Sequence, residues 1–276
     1  MRRSRRLVSA LALALVACAF ATAALAYTLD EIRGRGVLRV AVYSDFPPFN
    51  RAGQGIDVEV ARALAARLGV KLSLMPFPAS DENVEDDLRN MVWKGHYLGY
   101  GPADVMLHVP VAPEIARNKR IRVFGAYFRD SLAVARNVEA VPQLATLDAL
   151  RPVKIGAETG SVASTVLLGF GQGALRNNVL HVASGYDVAL GVKSGRTGAG
   201  LARRTELEAG LRDVPGIAIE PAPVPALQQL SWPLGMAVTA DNAELASALE
   251  VAVREMIEAG TLREIFAAEG VTWRAP

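Results

Sequence analysis

The chain has 276 residues, with 30 Lys or Arg against 28 Asp or Glu and a formal net charge of +2. Four of the basic residues are arginines within the first six positions, so the rest of the chain carries 26 basic and 28 acidic side chains, a formal charge of −2. No block of Lys and Arg remains to neutralise a phosphate backbone. We therefore expect neither nucleic acid nor an anionic membrane surface as a partner.

The first 26 residues have the order of a secretory signal peptide. A basic start is followed by an apolar run and by small residues at 24–26, before Tyr27. This order predicts an exported, periplasmic protein with no membrane span after cleavage. Three alternatives stay open. One is a retained membrane anchor, although alanine dominates the apolar run and a small-residue cleavage site follows it. Ser4-Arg5-Arg6 suggests twin-arginine export, and Cys18 would suit a lipoprotein, although the sequence after it stays apolar.

Signatures of catalysis and of metal binding are absent from the sequence. Cys18 is the single cysteine and lies in the predicted leader, so the remaining chain has no disulfide and no thiolate. His96, His108 and His181 lie far apart without metal-ligand spacing. We find no nucleophile elbow and no phosphate-binding loop. We expect no metal, no cofactor and no catalysis.

Strand and helix patterns alternate along the chain, starting with an apolar strand over 37–42. An amphipathic helix over 57–68 follows and ends at Gly69, and strands over 70–74 and 104–109 come next. This rhythm predicts a parallel sheet covered by helices.

The same pattern restarts in the second half of the chain. A helix is predicted from Ser161 to Leu168, and two helices end the chain, with capping-box spacing at Asp241/Glu244 and at Thr261/Glu264. Short strands are predicted at 131–135, 153–157, 179–183, 198–202, 217–220 and 234–239.

The first candidate binding element is the loop that follows the first strand. Pro47 and Pro48 end the strand and hold aromatic residues on a stiff loop, at the carboxyl end of a strand, where open α/β sheets bind ligands. The alternative is that the aromatic residues only plug the sheet edge. The candidate residues are Tyr43, Asp45, Phe46 and Phe49.

The second candidate is the stretch Glu158-Thr159-Gly160-Ser161. It joins a strand to a helix start, where unpaired backbone N–H groups can receive an anion. Helix capping by Thr159 or Ser161 explains the same residue types, and both interpretations can hold together.

The third candidate is His108, at the end of a strand before Pro110. It follows a glycine- and aromatic-rich run at 93–101, which could contact a ligand or a partner protein. The alternative is a loop that packs on its own side chains.

Seven stretches follow one another along the chain in a characteristic order: GVLRVAVYSDFPPF (36–49), GQGIDVEVARALAARLGVKL (53–72), ADVM (103–106), 119–128, 147–161, 233–238 and 258–266. This ordered set resembles the type II periplasmic solute-binding proteins, solute-binding protein family 3, of ABC importers for amino acids and similar solutes. The resemblance implies an α/β fold of two lobes, each a mostly parallel sheet flanked by helices, with two crossovers and a ligand cleft between the lobes. It implies a first lobe of 27–129 plus 237–276 and a second lobe of 130–236.

Two departures from the family pattern bear on the ligand. Amino-acid binders carry Thr-x-x-Arg after the ADVM-like strand, and here that stretch is Ala112 to Ile115; Arg117 lies close by and could substitute. The acid expected in a Gly-Arg-x-Asp-Ala pattern is missing from 195–199. A zwitterion clamp that lacks both halves predicts a small polar or anionic organic ligand instead of a plain amino acid.

The sequence therefore predicts a non-catalytic binding protein, with an ABC permease as its expected partner. One alternative is an accessory protein of a periplasmic quinoprotein (PQQ) alcohol dehydrogenase and its cytochrome c, as in a divergent branch of the family. Another is an enzyme on the same scaffold that uses Asp45, Glu158 or His108. The predicted ligand-binding residues are Tyr43, Asp45, Phe46, Phe49, His108, Arg117, Thr159, Gly160 and Ser161.

Overall fold

The computed structural model describes residues 28–79, 83–225 and 230–276. The predicted signal peptide and the alternative processing site at Cys18 lie outside these residues. Within the described ranges, no helix is both long and apolar enough to cross a lipid bilayer.

The first half of the chain forms a parallel sheet, as the sequence predicts. Strands β1 (Val37–Tyr43), β2 (Lys71–Phe77) and β3 (Val105–Pro110) lie in the order β2-β1-β3 and are all parallel. The helices are α1 (Leu29–Arg35), α2 (Ile56–Arg67), α3 (Val84–Leu88), which continues into a π-helical turn at Arg89–Trp93, and α4 (Pro113–Ala116).

Two long antiparallel strands connect the halves of the sheet. Strand β4 (Ile121–Asn137) pairs with β9 (Ser231–Thr239) along its first part, from Ile121 opposite Thr239 to Ser131 opposite Ser231. Its second part, from Leu132, pairs with strands of the other half. The strand predicted at 131–135 is therefore only the end of β4. Arg129 and Asp130 interrupt the apolar pattern of β4 and hide its length from sequence reading.

The second half of the chain repeats the parallel arrangement. Strands β5 (Ile155–Glu158), β6 (Val179–Val182) and β7 (Ala199–Arg203) lie in the order β6-β5-β7, and β4 pairs antiparallel with both β7 and β8 (Ile217–Pro221). The helices are a 3₁₀ turn at Leu147–Leu150, α5 (Val162–Gly169), α6 (Gly185–Lys193) and α7 (Arg204–Gly210).

The chain ends in helices α8 (Ala243–Glu258) and α9 (Thr261–Ala268), and both predicted capping boxes are wrong. The side chain of Asn242, one residue after the predicted cap, accepts the N–H of Leu245. Gly260 precedes α9 with a φ of 77°, so Thr261 is already the first helical residue. The left-handed glycine ends one helix and starts the next in a single turn.

The hydrophobic core is divided in the way that a two-lobe fold requires. Two of its four clusters contain residues from Leu29–Phe128 and Leu234–Val271, and the other two contain residues from Leu132–Ala222. Trp232 packs against a cluster of each kind. We propose a division of the lobes within β4 and β9. The predicted boundaries near Arg129 and Met236 stay a proposal.

Candidate functional site

A cleft lies between the two lobes, at the carboxyl ends of the parallel strands. It consists of two adjoining cavities of about 450 Å³ and about 570 Å³. Parallel strands end at one edge of their sheet, so residues that follow β1, β3, β5 and β7 meet there. The residues that line both cavities are Pro110, Glu158, Arg203 and Trp232.

Seven of the nine residues that the sequence singles out line this cleft. Tyr43, Asp45, Phe46 and His108 line the cavity of about 450 Å³, and Thr159, Gly160 and Ser161 line the other. The remaining two have other positions. Phe49 is fully buried behind Phe46, with their rings stacked 5.2 Å apart. Arg117 follows the last residue of α4 and lines neither cavity.

His108 is held by a buried hydrogen-bond network in the first lobe. Its Nδ1 lies 3.1 Å from Oδ2 of Asp57, a side chain that is 1% exposed, and the Tyr127 hydroxyl donates to the other oxygen, Oδ1, at 2.8 Å. The His108 backbone N–H donates to the Tyr127 oxygen at 3.2 Å. A carboxylate at Asp57 can only accept, so in the tautomer that bonds to it the ring proton lies on Nδ1, and Nε2 of that tautomer is an acceptor.

Aromatic packing fixes the rest of the first-lobe wall. The His108 ring lies edge-on to Phe49 and Phe46, with centroids 4.2 and 4.9 Å away. The Tyr43 hydroxyl donates to Asp87 at 2.9 Å, and burial, helped by the negative Asp87, raises the pKa of Tyr43 well above its usual value. The Asn50 side chain donates to the Tyr43 carbonyl at 2.8 Å and closes the loop. The side chains of Tyr43 and Asn50 therefore both have hydrogen-bond partners within this wall.

Arg203, at the end of β7, is the only Lys or Arg that lines either cavity of the cleft within the described residues. Its guanidinium carbon lies 5.2 Å from the centroid of the Phe46 ring, a cation–π contact across the cleft. Its Nη1 also lies 3.6 Å from Oε1 of Glu206. Arg203 is not among the ligand-binding residues predicted from the sequence. The end of a predicted strand was the signal that could have identified it.

Three carboxyl groups of the second lobe surround Arg203, and burial raises the pKa of each. The Glu206 side chain is 2% exposed, and its pKa is raised to about 8. The pKa values of Glu158 and Asp130 are raised as well, although the nearby Arg203 acts in the opposite direction. Asp130 also accepts the hydroxyl of Thr205. Loss of hydration disfavours the charged form of each acid.

The Thr159–Ser161 turn has the geometry of a capped helix start. The Ser161 side chain accepts the N–H of Ser164 at 3.1 Å and donates to the Glu158 carbonyl at 2.8 Å. The Thr159 hydroxyl donates to the Val182 carbonyl at 3.1 Å. Both hydroxyls therefore have local partners, and Ser161 caps helix α5. The turn also forms part of the cleft wall. No group of three His, Cys, Asp or Glu able to hold a metal occurs among the described residues.

Comparison with known proteins gives the class of fold. No protein-family model matches the sequence, and no curated protein matches it significantly. Solved structures do match over most of the chain. An ancestral cationic amino-acid solute-binding protein superposes with a TM-score of 0.68 at 21% identity, covering 88% of this chain and 99% of its own.

Two further structures extend this likeness. An amino-acid ABC transporter substrate-binding protein of Streptococcus pneumoniae, bound to L-arginine, has a TM-score of 0.59 at 22% identity and covers 87% of this chain and 97% of its own. A solute receptor for L-cysteine of Neisseria gonorrhoeae has a TM-score of 0.57 at 21% identity, with coverages of 88% and 93%. The protein has the two-lobe α/β fold of type II solute-binding proteins, which confirms the predicted fold class.

Proposed function

We propose that the protein is a periplasmic solute-binding protein that captures a small polar or anionic organic ligand between its lobes for an ABC importer. The observation that carries the proposal is the position of Arg203, which lines both cavities and faces the aromatic wall of the other lobe; no other Lys or Arg of the described residues lines either cavity. An arginine offers a fork of N–H donors to an acidic group, while aromatic side chains cover the apolar part of a ligand.

The two lobes contribute different contacts. The first lobe offers Tyr43, Phe46 and the acceptor Nε2 of His108, and the second offers Arg203 and the turn at Thr159–Ser161. Strands β4 and β9 are the only connections of the sheet that cross between the lobes within the described residues. A ligand that contacts both walls favours the closed arrangement by its extra affinity for that state.

A plain amino acid is not the ligand that this cleft favours. The position of the family arginine is occupied by α4, where Ala112 precedes the helix and Ile115 is buried. The cleft cation comes instead from the second lobe, next to the buried acids Glu206 and Asp130. The chain therefore presents charges to a ligand in a pattern that differs from the α-carboxylate and α-amino clamp implied by the family resemblance.

A thermal-shift screen of the purified chain tests this function. The compounds would be monocarboxylic acids, dicarboxylic acids, hydroxy acids, L-amino acids, sugars and polyamines, each against wild type and Arg203→Gln. We expect organic acids to raise the midpoint of wild type but not of the variant. Stabilisation by L-amino acids alone would refute the ligand class, and stabilisation by no compound would refute the binding function.

A catalytic role on the same scaffold is the second candidate. It is supported by the buried Asp57–His108 pair, whose Nε2 can accept a proton, in the same cavity as Glu158, whose pKa is raised by burial. A neighbour of this fold is described as a precursor of cyclohexadienyl dehydratase. Enzymatic turnover of a compound found in the screen, lost in His108→Gln with binding retained, would establish this role.

The accessory role beside a quinoprotein dehydrogenase stays a prediction from sequence. It predicts co-purification with a dehydrogenase or cytochrome from the native periplasm, and no ligand-dependent thermal shift. A shift with organic acids that depends on Arg203 would exclude it as the sole function.

A further inference from the structure

Arg203, the one Lys or Arg that lines the cleft in the described part of the chain, has a buried counter-ion within its own lobe. Arg203 Nη1 lies 3.6 Å from Glu206 Oε1, and the Arg203 side chain is 33% exposed while that of Glu206 is 2% exposed. Oε2 of Glu206 has no hydrogen-bond partner among the described residues. It lies against Gly185, where a methyl group would be only 2.0 Å from this oxygen. The carboxyl is thus enclosed, and in the described ranges Arg203 is the one residue of opposite charge within ion-pair distance of it.

Charged groups on three neighbouring strands act on Glu206. Arg203, at the end of β7, lowers its pKa, whereas Glu158 from β5 and Asp130 from β4 raise it. Helix α6 presents the backbone of Gly185 to the carboxyl, and Asp187 on the same helix acts on Glu158. Burial is the largest effect, and the resulting pKa of Glu206 is about 8.

The protonation of Glu206 therefore decides how much charge Arg203 presents to the cleft. A protonated Glu206 leaves the guanidinium positive and available to an anion. An ionised Glu206 offsets the positive charge of Arg203 from the interior of the lobe, and its own negative charge repels a carboxylate that enters the cleft. The two anions compete for one cation, so binding of either one weakens the other.

Taking the proposed function as its basis, we propose that Glu206 is a proton-dependent internal counter-ion of Arg203, and that the cleft takes up a proton at Glu206 when it binds a small carboxylate with an apolar body. Arg203 receives the carboxylate. The apolar body lies against the remaining walls, whose ring and aliphatic surfaces come from Tyr43, Phe46, Pro110, Leu132 and Trp232.

The proposal fixes the direction of the pH effect. Below the pKa of Glu206 the proton is already bound and affinity for a carboxylate is constant. Above that pKa, each ligand that binds must return a proton to Glu206, so affinity falls about tenfold per pH unit. Between pH 7 and pH 9, one unit either side of the Glu206 pKa, the dissociation constant rises about tenfold.

Calorimetric titration of the full chain with benzoate, and with benzamide as the neutral isostere, tests the proposal. For wild type we expect benzoate to bind about tenfold more weakly at pH 9 than at pH 7, with benzamide affinity unchanged. Repeating the pH 9 titration in two buffers of different ionisation enthalpy should show uptake of nearly one proton per benzoate.

Glu206→Gln keeps the shape and removes the titration. We expect its benzoate affinity to be the same at pH 7 and pH 9. The matched control is Glu59→Gln, an exposed carboxylate paired with Arg62 at 3.3 Å on the surface of α2, which should retain the tenfold change. If the Glu206→Gln variant does not fold, proton uptake by wild type decides the question alone.

Three results would overturn the proposal. They are equal wild-type affinity for benzoate at both pH values without proton uptake, an unchanged pH dependence in Glu206→Gln, and failure of benzoate to bind at millimolar concentration. Each leaves the proposed binding function standing if another compound of the thermal-shift screen stabilises the chain through Arg203. The two ideas therefore fail separately.

Discussion

The two walls of the cleft differ in whether their buried polar groups have hydrogen-bond partners. In the first-lobe wall the polar groups of Asp57, His108 and Tyr127 are satisfied by one another, and aromatic rings fill the space between them. In the second-lobe wall a half-buried Arg203 faces Glu206, which is buried with one unpartnered oxygen and a pKa of about 8. The first wall is preorganised, whereas the charge of the second depends on a proton.

The largest effect should come from breaking the satisfied network. Asp57→Ala leaves the Tyr127 hydroxyl and His108 Nδ1 buried without their acceptor, so we expect the free energy of unfolding to fall by about 3–5 kcal/mol. Urea denaturation at neutral pH measures it. Asp45→Ala, at an exposed position of the same wall, is the control and should change stability little. A loss below about 1 kcal/mol for Asp57→Ala would show that the network does not hold this wall.

In the second-lobe wall, removing an acidic side chain should raise the free energy of unfolding instead of lowering it. The folded state keeps the proton of Glu206 up to a pKa of about 8, whereas the unfolded chain releases it near 4.5. The unfolded state therefore binds fewer protons in this window, and stability falls as pH rises through it.

Glu206→Gln removes this loss. We expect the variant to be more stable than wild type by several kcal/mol at pH 9, about 1.4 kcal/mol for each pKa unit between 4.5 and about 8, and the difference to disappear below about pH 4.5. Urea denaturation as a function of pH measures both limits. A difference that is independent of pH would contradict a raised pKa for Glu206.

The close packing around Glu206 can be tested by changing its neighbour Gly185. Gly185→Ala places a methyl group 2.0 Å from Glu206 Oε2, so we expect a loss of about 1–3 kcal/mol in the free energy of unfolding. Gly169→Ala is the matched control, because nothing lies within 4 Å of its added methyl group, and its effect should stay within about 0.5 kcal/mol. Equal effects of the two substitutions would mean that Glu206 has room to move.

The smallest effect concerns the helix that starts at the cleft rim. Ser161→Ala removes the side chain that accepts the N–H of Ser164, and we expect about 1 kcal/mol of destabilisation in thermal or urea unfolding. Val162→Ala, at an exposed position in the first turn of α5, serves as the control. If Ser161→Ala costs no more than Val162→Ala, the cap does not stabilise α5.

Much of the fold could be predicted from the sequence, because the buried faces of helices and strands leave apolar residues at regular spacing along the chain. Strand β1 and helix α2 lie within one residue of their predicted bounds. Helices α6 and α7 were not predicted, because glycines and charged residues interrupt their apolar spacing. The capping boxes failed because spacing alone cannot distinguish Asp241 from Asn242 as the cap.

The candidate site was predictable only in part. The loop after β1 and His108 were accessible because a strand end followed by proline marks the cleft edge. In the sequence, Asp57 has the position of an ordinary acidic residue in the first turn of a helix. Its partners His108 and Tyr127 are 51 and 70 residues away, so no local pattern indicates these contacts. The pairing of Arg203 with Glu206 has the spacing of a surface ion pair. Glu206 is buried by helix α6 and by neighbouring strands that are distant in sequence, which no local pattern records.

The central claim is that Arg203 is the anion anchor of the cleft, and equilibrium binding tests it most directly. The measurement is calorimetric titration of the strongest organic acid from the screen into wild type and Arg203→Gln at pH 7. Loss of a charged hydrogen-bond fork predicts affinity weaker by about 10- to 100-fold in the variant. Equal affinity of the two proteins would contradict the claim.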